Sequence, residues 1–379
     1  MFKTGSPVKG KNFIDRLKHI PVFKTYIDNG QHIVIKAPRR FGKTSLVKHV
    51  FEENSDYQFI YIDVRRATSL ASLSEQIIDK AYSFAGVKNF IRESKESVIT
   101  LFKSFQKIKI DDIGEVTLKL FEDDVDEVAF FLHALDTVEK IAQKKEIEIK
   151  FIMDEFQDIL KIADKNILEL MRSVIQHHEN VTYIFLGSIE SMMTQIFEDK
   201  SSPFFHFARI MDLGGLDTEE LYSYTSKMLK EKKIDFDKPS LEKLIAFLDG
   251  HPDYSAQTLQ TMYYKHLVNE TKYIGYDEMY DALKSTILEN KAYLEELISK
   301  TKMKKHHYEV LHAIANNNVL ELTSGTLYNI RVALEEMGLI KNVSRGKYIV
   351  TDIFLNVLLQ QNNDEAFALE EKIQIEFMK

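Results

Sequence analysis

The sequence contains no cysteine, which excludes a disulfide framework, a thiol nucleophile and a zinc site built on thiolates, and fits a reducing compartment. No stretch approaches the roughly 18 consecutive apolar residues that a membrane helix needs. The start, MFKTGSPVKGKNFIDRL, lacks the apolar core of a signal peptide. A cytoplasmic chain with no membrane partner is the expectation. Internal repeats and low-complexity segments are also missing, and a formal net charge of -8 excludes a generic nucleic-acid coat while leaving room for a local basic face. What is there is globular material: 379 residues, 44% hydrophobic and 28% charged, enough for two or three domains with their own cores.

The most informative stretch is Ala37-Pro38-Arg39-Arg40-Phe41-Gly42-Lys43-Thr44. Apolar Ile33-Val34-Ile35 precedes it and Ser45-Leu46-Val47 follows it, so it reads as strand, phosphate loop, helix. Such a loop turns its backbone N–H groups toward phosphate oxygens, Lys43 neutralises β/γ charge, and Thr44 offers a hydroxyl to Mg²⁺. The helix beginning near Lys43 points its positive end at the same anion. Ala37 stands where the first glycine of the G-x-x-x-x-G-K-[ST] pattern usually sits, and its Cβ is tolerated only if φ stays negative there. Arg39 and Arg40 are expected to be solvated loop residues attracted to the triphosphate.

Strand-like runs at His32–Lys36, Gln58–Asp63, Ile149–Met153 and Val181–Leu186 alternate with helical patterns such as Leu73–Ala85 and Asp124–Lys144. This alternation predicts an α/β fold with a parallel, doubly wound sheet and ligands at the carboxyl ends of its strands. Lys107–Phe121 alternates apolar and polar residues around Asp111-Asp112-Ile113-Gly114, which predicts an inserted hairpin. After Leu216 the pattern turns helical, roughly Asp217–Lys232, Ser240–Leu248, Tyr254–Asn269 and Tyr276–Lys300, which predicts a helical lid. From Met303 it changes again: a helix to Asn316, a second over Ser324–Met337, then Leu339–Val343 and Tyr348–Thr351 around Arg345-Gly346. That order predicts a helix-turn-helix with a small β-wing. The expected units are residues 1–215, a lid over 216–300, a winged helix over 301–361 and a mixed-charge, helical tail over 362–379.

Phe151-Ile152-Met153-Asp154-Glu155 is a buried strand ending in two carboxylates beside the loop. Asp154 is placed to orient Mg²⁺, and Glu155 to polarise an attacking water, since phosphoryl transfer asks mostly for positioning and charge stabilisation. Val181–Leu186 ends in Gly187-Ser188, where the Ser188 hydroxyl either bonds the γ-phosphate or the water, or caps the helix Ile189–Glu198. Arg209, before the last strand, either reaches transition-state charge in its own or a neighbouring copy, or forms a surface ion pair. Gly250-His251-Pro252 joins two lid helices and either presses Pro252 or His251 onto a nucleotide or is a simple turn. No arginine lies between Asp253 and Lys265, so the lid lacks a phosphate-sensing arginine there.

The winged-helix candidate holds Lys302, Lys304, Lys305, Arg331, Lys341, Arg345 and Lys347 against Glu309, Glu321, Glu335, Glu336 and Asp352. Its second helix offers Thr326, Asn329 and Arg331 to a major groove, but also two glutamates that phosphates repel. Duplex DNA and a protein partner both remain open as what it docks.

Phe13-Ile14-Asp15-Arg16, APRRFGKTSL, FIMDEFQDI, IFLGSIESM, the Arg209 segment, GHP and a terminal winged helix together resemble the archaeal-type ATPase family, a branch of the AAA+ and STAND-like P-loop proteins. The resemblance covers nearly the whole chain. It implies an AAA+-like αβα P-loop domain followed by a helical lid and a winged helix-turn-helix, with ATP or ADP and Mg²⁺ as ligands. It further implies Phe13 through Arg16 near the adenine, Ala37 through Ser45 around the phosphates, with Lys43 and Thr44 at the phosphates and Mg²⁺, Asp154 and Glu155 at metal and water, and Ser188 in the sensor position. The layout also resembles origin-recognition ATPases, which join the same core to a DNA-binding winged helix.

Overall fold

A computed structural model describes residues 4–5, 13–14, 16–85, 126–164, 166–188, 190–360, 373–374 and 377. The hairpin expected over 107–121 and Asp15 lie outside the described residues, as does most of the expected tail.

The first half builds a sheet domain. Its elements are α1 (His19–Asp28), β1 (Ile33–Lys36), α2 (Lys43–Glu53), β2 (Gln58–Asp63), α3 (Leu70–Ala85), α4 (Glu127–Lys145), β3 (Ile149–Asp154), α5 (Ile159–Ile162), α6 (Ile167–Ile175), β4 (Val181–Gly187), α7 (Glu190–Phe197) and β5 (Arg209–Asp212). The five strands form one sheet in the order β2-β3-β4-β1-β5, with every pairing parallel. The central strands β1, β3 and β4 are near-continuous buried runs, because helices cover both faces. Successive residues therefore serve opposite layers. Phe151, Met153, Tyr183 and Phe185 face α3, α4 and α6, while Ile152, Ile184 and Leu186 face α1 and α2. Each such fully buried side chain contributes about 1.5–3 kcal/mol. The register aligns the strand ends: Lys36 sits opposite Gly187 and Asp212, and Asp63 opposite Asp154.

The helical half follows as α8 (Thr218–Glu231), β6 (Asp235–Phe236), α9 (Lys238–Leu248), α10 (Pro252–Asn269), β7 (Tyr273–Ile274) and α11 (Tyr276–Lys302). Asp217 and Asp237 start α8 and α9 by accepting from backbone N–H groups one turn on. The two-residue strands β6 and β7 pair in parallel, a contact too short to leave a sequence pattern.

The C-terminal module is α12 (His307–Asn316), α13 (Ser324–Glu336), an antiparallel hairpin β8 (Ile340–Ser344) and β9 (Lys347–Val350), and α14 (Ile353–Leu359). This is the order of helices and hairpin that the sequence predicts. The turn at Arg345-Gly346 uses a glycine at φ +78°. The helical half and this module share one apolar core that includes Leu221 and Phe354, and Ile373 and Phe377 are buried in it. Phe377 packs against Tyr276 and Tyr280. Helix α13 also packs against α7 of the sheet domain.

Candidate functional site

Between Lys36 and Lys43 the chain turns with Arg40 at φ +67° and Gly42 at φ +84°. Gly42 is the residue before α2, so the left-handed turn falls where the helix's unpaired N–H groups begin. Ala37 keeps its φ out of the left-handed region, which meets the condition its Cβ imposes. Lys43 is only 5% exposed and curls back over the loop, its Nζ donating to the carbonyls of Ala37 (2.8 Å) and Pro38 (3.0 Å). Loop, lysine and helix start thus converge on one small volume of positive potential.

Thr44 Oγ1 donates to Asp154 Oδ2 at 2.7 Å, and the Tyr61 hydroxyl donates to the same oxygen. Burial and the Asp154 carboxylate push the Tyr61 phenol up, so Tyr61 remains a proton donor. Burial, with the Asp154 charge, likewise raises Asp63. No group of three or more His, Asp or Glu side chains gathers a metal cage among the described residues. The hydroxyl and carboxylate oxygens of Thr44 and Asp154 are a hard, sparse donor set that fits a Mg²⁺ ion completed by phosphate and water.

Glu155 takes a left-handed conformation, φ +54°, as the chain leaves β3. Its Oε2 accepts from Ser188 Oγ (2.5 Å) and Gln157 Nε2 (2.7 Å), and lies 3.0 Å from Arg65 Nη2. The Ser188 hydroxyl therefore bonds Glu155. Arg65 also donates through Nε to Asp158 at 3.0 Å, whose second oxygen pairs with Lys161. Burial opposes both charges, yet hydrogen bonds hold Asp158 low and Arg65 high. Gly187 is required by close approach, since a Cβ there would come within 2.2 Å of Met193 and 2.9 Å of Gln157 Oε1.

These groups open onto a cavity of about 810 Å³ lined by Arg39, Lys43, Thr44, Ser45 and Glu155 on one side and by Pro252 of α10 and Tyr293 of α11 on the other. Pro252 occupies the first turn of α10. His251 turns away from the cavity: it caps α10 by accepting from Tyr254 N, and its ring lies between Phe41 and Tyr254. Burial lowers His251 to about 3, so it is neutral. Arg40 is not a freely solvated loop residue. Its Nη1 lies 3.2 Å from Asp253 Oδ2, and its guanidinium stands 5.1 Å over the Tyr293 ring.

Arg16 is buried and ties the Phe41 carbonyl (2.9 Å) to those of Gly214 (2.8 Å) and Gly215 (3.1 Å). Phe13 stacks on His49 with centroids 4.0 Å apart. Arg209 opens β5 opposite Ile33, at the far end of the sheet from the loop. About 10 Å of strand separates the two, so Arg209 does not join the site within one chain. Tyr61, Arg65 and Asp253 were missed in the sequence. Arg65 alone carried a signal, a charged residue just after a strand's carboxyl end.

A family model described as an ATPase domain predominantly from Archaea matches residues 13–258. An uncharacterized ATP-binding protein of Methanocaldococcus jannaschii is 24% identical over 328 residues, covering 79% of this chain and 86% of that protein. Among solved structures, a Walker-type ATPase of Pyrococcus abyssi superposes with a TM-score of 0.67 at 17% identity, covering 95% of this chain and 99% of the other. The ORC2 protein of Aeropyrum pernix, solved in ADPNP–ADP complexes, gives a TM-score of 0.59 at 13% identity, with 98% of each chain covered.

Proposed function

The chain belongs to the ATPase family found predominantly in Archaea, and from that membership we propose that it binds ATP around Lys43, hydrolyses it, and uses the nucleotide state to set how the lid and C-terminal module sit on the sheet domain. The observation that carries this reading is the meeting of Lys43, the Thr44–Asp154 pair and the Ser188-anchored Glu155 at one cavity whose opposite wall is the lid. Lys43 and the loop N–H groups bind and orient the phosphates. Thr44 and Asp154 would hold Mg²⁺, which when bound neutralises phosphate charge. Glu155 takes a proton from water as the water oxygen bonds to the γ-phosphorus, and the γ–β bridging bond breaks to leave ADP and phosphate. Ser188, Gln157 and Arg65 fix the carboxylate so that its proton-accepting geometry is prepaid.

A ligand touching both walls shifts their arrangement only by its differential affinity, about 5.5 kcal/mol for a change from 1:99 to 99:1. Triphosphate and diphosphate differ by one phosphoryl group, and contacts to that group from both walls of the cavity would supply such a difference. The test is phosphate release from ATP together with scattering profiles taken with an ATP analogue and with ADP. Turnover with distinct profiles is expected; superimposable profiles would end the switch proposal.

A second reading, regulated DNA binding through the C-terminal module, rests on the exposure of Lys341, Arg345 and Lys347 along the β8–β9 hairpin. It predicts affinity for duplex DNA that falls steeply with salt and is lost in the triple alanine variant. Turnover and affinity indifferent to DNA would favour a protein docked on the same module, including the partner of a signalling or toxin system.

A further inference from the structure

The first turn of α10 presents an acid to the nucleotide cavity: Asp253 follows Pro252 and lines the same wall. An acid there repels phosphate, and the lid supplies no arginine between Asp253 and Lys265 to offset it. The positive partner comes from the other wall. Arg40, three residues before Lys43, reaches across the cavity to Asp253 Oδ2 at 3.2 Å. Its side chain remains 47% exposed, and its backbone is held at φ +67°, a conformation that costs a non-glycine residue energy and so persists only where the fold imposes it. One cation thus stands between two anions, the lid carboxylate and whatever phosphate occupies the loop.

We propose that Arg40 is the positioning residue that distinguishes triphosphate from diphosphate in this chain, exchanging between Asp253 on the lid and the terminal phosphate of bound ATP. The inference rests on the reading of the loop as an ATP site. Guanidinium favours a doubly charged phosphate over a single carboxylate, because it binds both through paired N–H donors and the phosphate carries more charge. A diphosphate ends one phosphoryl group earlier and leaves Arg40 with Asp253. Release of Arg40 does not orphan Asp253, since Gln257 Nε2 also donates to its Oδ2 at 2.7 Å, and Gln257 is held in turn by Asn290 of α11.

The neighbouring residue gives the exchange a route outward. Phe41 packs edge-on against His251 with centroids 4.8 Å apart, His251 stacks on Tyr254 at 4.0 Å, and Tyr254 stacks on Phe354 of α14 at 3.9 Å. The Tyr254 hydroxyl donates to Asp352 at 2.6 Å, and Asp352 caps α14. These packed rings form a continuous path from the loop at Arg40 and Phe41 to the C-terminal module.

The test measures affinity of the full chain for a nonhydrolysable ATP analogue and for ADP, both with Mg²⁺, by calorimetry on the wild type, Arg40→Gln, Asp253→Asn and the double variant. Arg40→Gln is expected to lower the analogue-to-ADP affinity ratio about tenfold. Asp253→Asn is expected to raise analogue affinity about two- to fivefold and leave ADP unchanged. In the Arg40→Gln background, Asp253→Asn should change the analogue-to-ADP affinity ratio much less than it does in the wild type. Scattering of Arg40→Gln should no longer respond to the analogue, a readout that a merely structural tie would not move. Lys43-dependent binding with a ratio untouched by Arg40→Gln, or equal shifts for both nucleotides in Asp253→Asn, would overturn this inference alone. Absence of all nucleotide binding in the wild type would overturn the ATP reading and this inference with it.

Discussion

Ser188 Oγ donates to Glu155 Oε2 across 2.5 Å, joining the end of β4 to the end of β3. The two residues lie 33 positions apart, and only the parallel register of β3 and β4 brings them side by side. The bond orients the carboxylate through Oε2, and the base role proposed for Glu155 falls to its second oxygen.

Glu155→Gln keeps the shape and hydrogen bonds of the side chain but removes its basicity. Nucleotide binding should be retained while phosphate release slows about 10²–10⁴-fold. Ser188→Ala deletes one charge-assisted hydrogen bond and should slow turnover about tenfold with little change in KM. Steady-state phosphate release checks both, and undiminished turnover in Glu155→Gln would refute its assignment as base.

Lys43→Ala removes the buried ammonium inside the loop. Affinity for ATP and ADP should fall about a hundredfold or more, read by calorimetry, with melting temperature monitored to separate binding from folding. Binding at wild-type affinity would displace the nucleotide from this loop.

Stability should fall as pH drops below 6.5. Burial lowers His251 from 6.5 to about 3 and His32 to about 4. Both are depressed bases. Between pH 6.5 and those values the unfolded chain takes up protons that the native state refuses, so acid favours unfolding, by at most about 1.4 kcal/mol per pH unit for each histidine. His251→Asn keeps an acceptor at the α10 cap and should reduce the slope of unfolding free energy between pH 6.5 and 4.5 by about one proton. Urea titrations at several pH values measure that slope, and an unchanged one would contradict a neutral, buried His251.

Gly250→Ala should destabilise the chain by more than about 2 kcal/mol. Gly250 has φ +65°, and an added Cβ would lie 2.1 Å from the Leu216 carbonyl oxygen. That close approach exists because the Leu216 N–H donates to the Gly250 carbonyl at 2.7 Å, closing the junction from which α8 and α10 both depart. Thermal melting checks it.

Most elements of the sheet were legible, because a strand buried on both faces must be apolar throughout. Ile149–Met153 and Val181–Leu186 announce themselves by composition and fall within one residue of the observed β3 and β4. Helix starts were less legible. The pattern placed one lid helix at Tyr254, whereas α10 begins at Pro252, because a proline fits a first turn whose N–H groups have no intrahelical partner. The expected boundary near residue 300 corresponds to the end of a continuous 27-residue α11, with one core on both sides. Apolar periodicity reports that a face is buried, never which neighbour buries it.

The phosphate loop, the carboxylate pair and the serine after β4 were determined by sequence alone, because each is a short run whose chemistry depends on residues adjacent along the chain. Tyr61 on Asp154, Arg65 on Glu155 and Arg40 on Asp253 were decided only by tertiary structure. Each joins segments separated by 90 to 213 positions, and no local periodicity encodes which charge lies across a cavity. The same holds for Arg209: its sequence neighbourhood placed it before the last strand, but the parallel register set it at the opposite end of the sheet from Lys43. Strand direction and pairing, which emerge only when the sheet assembles, determine which ends meet.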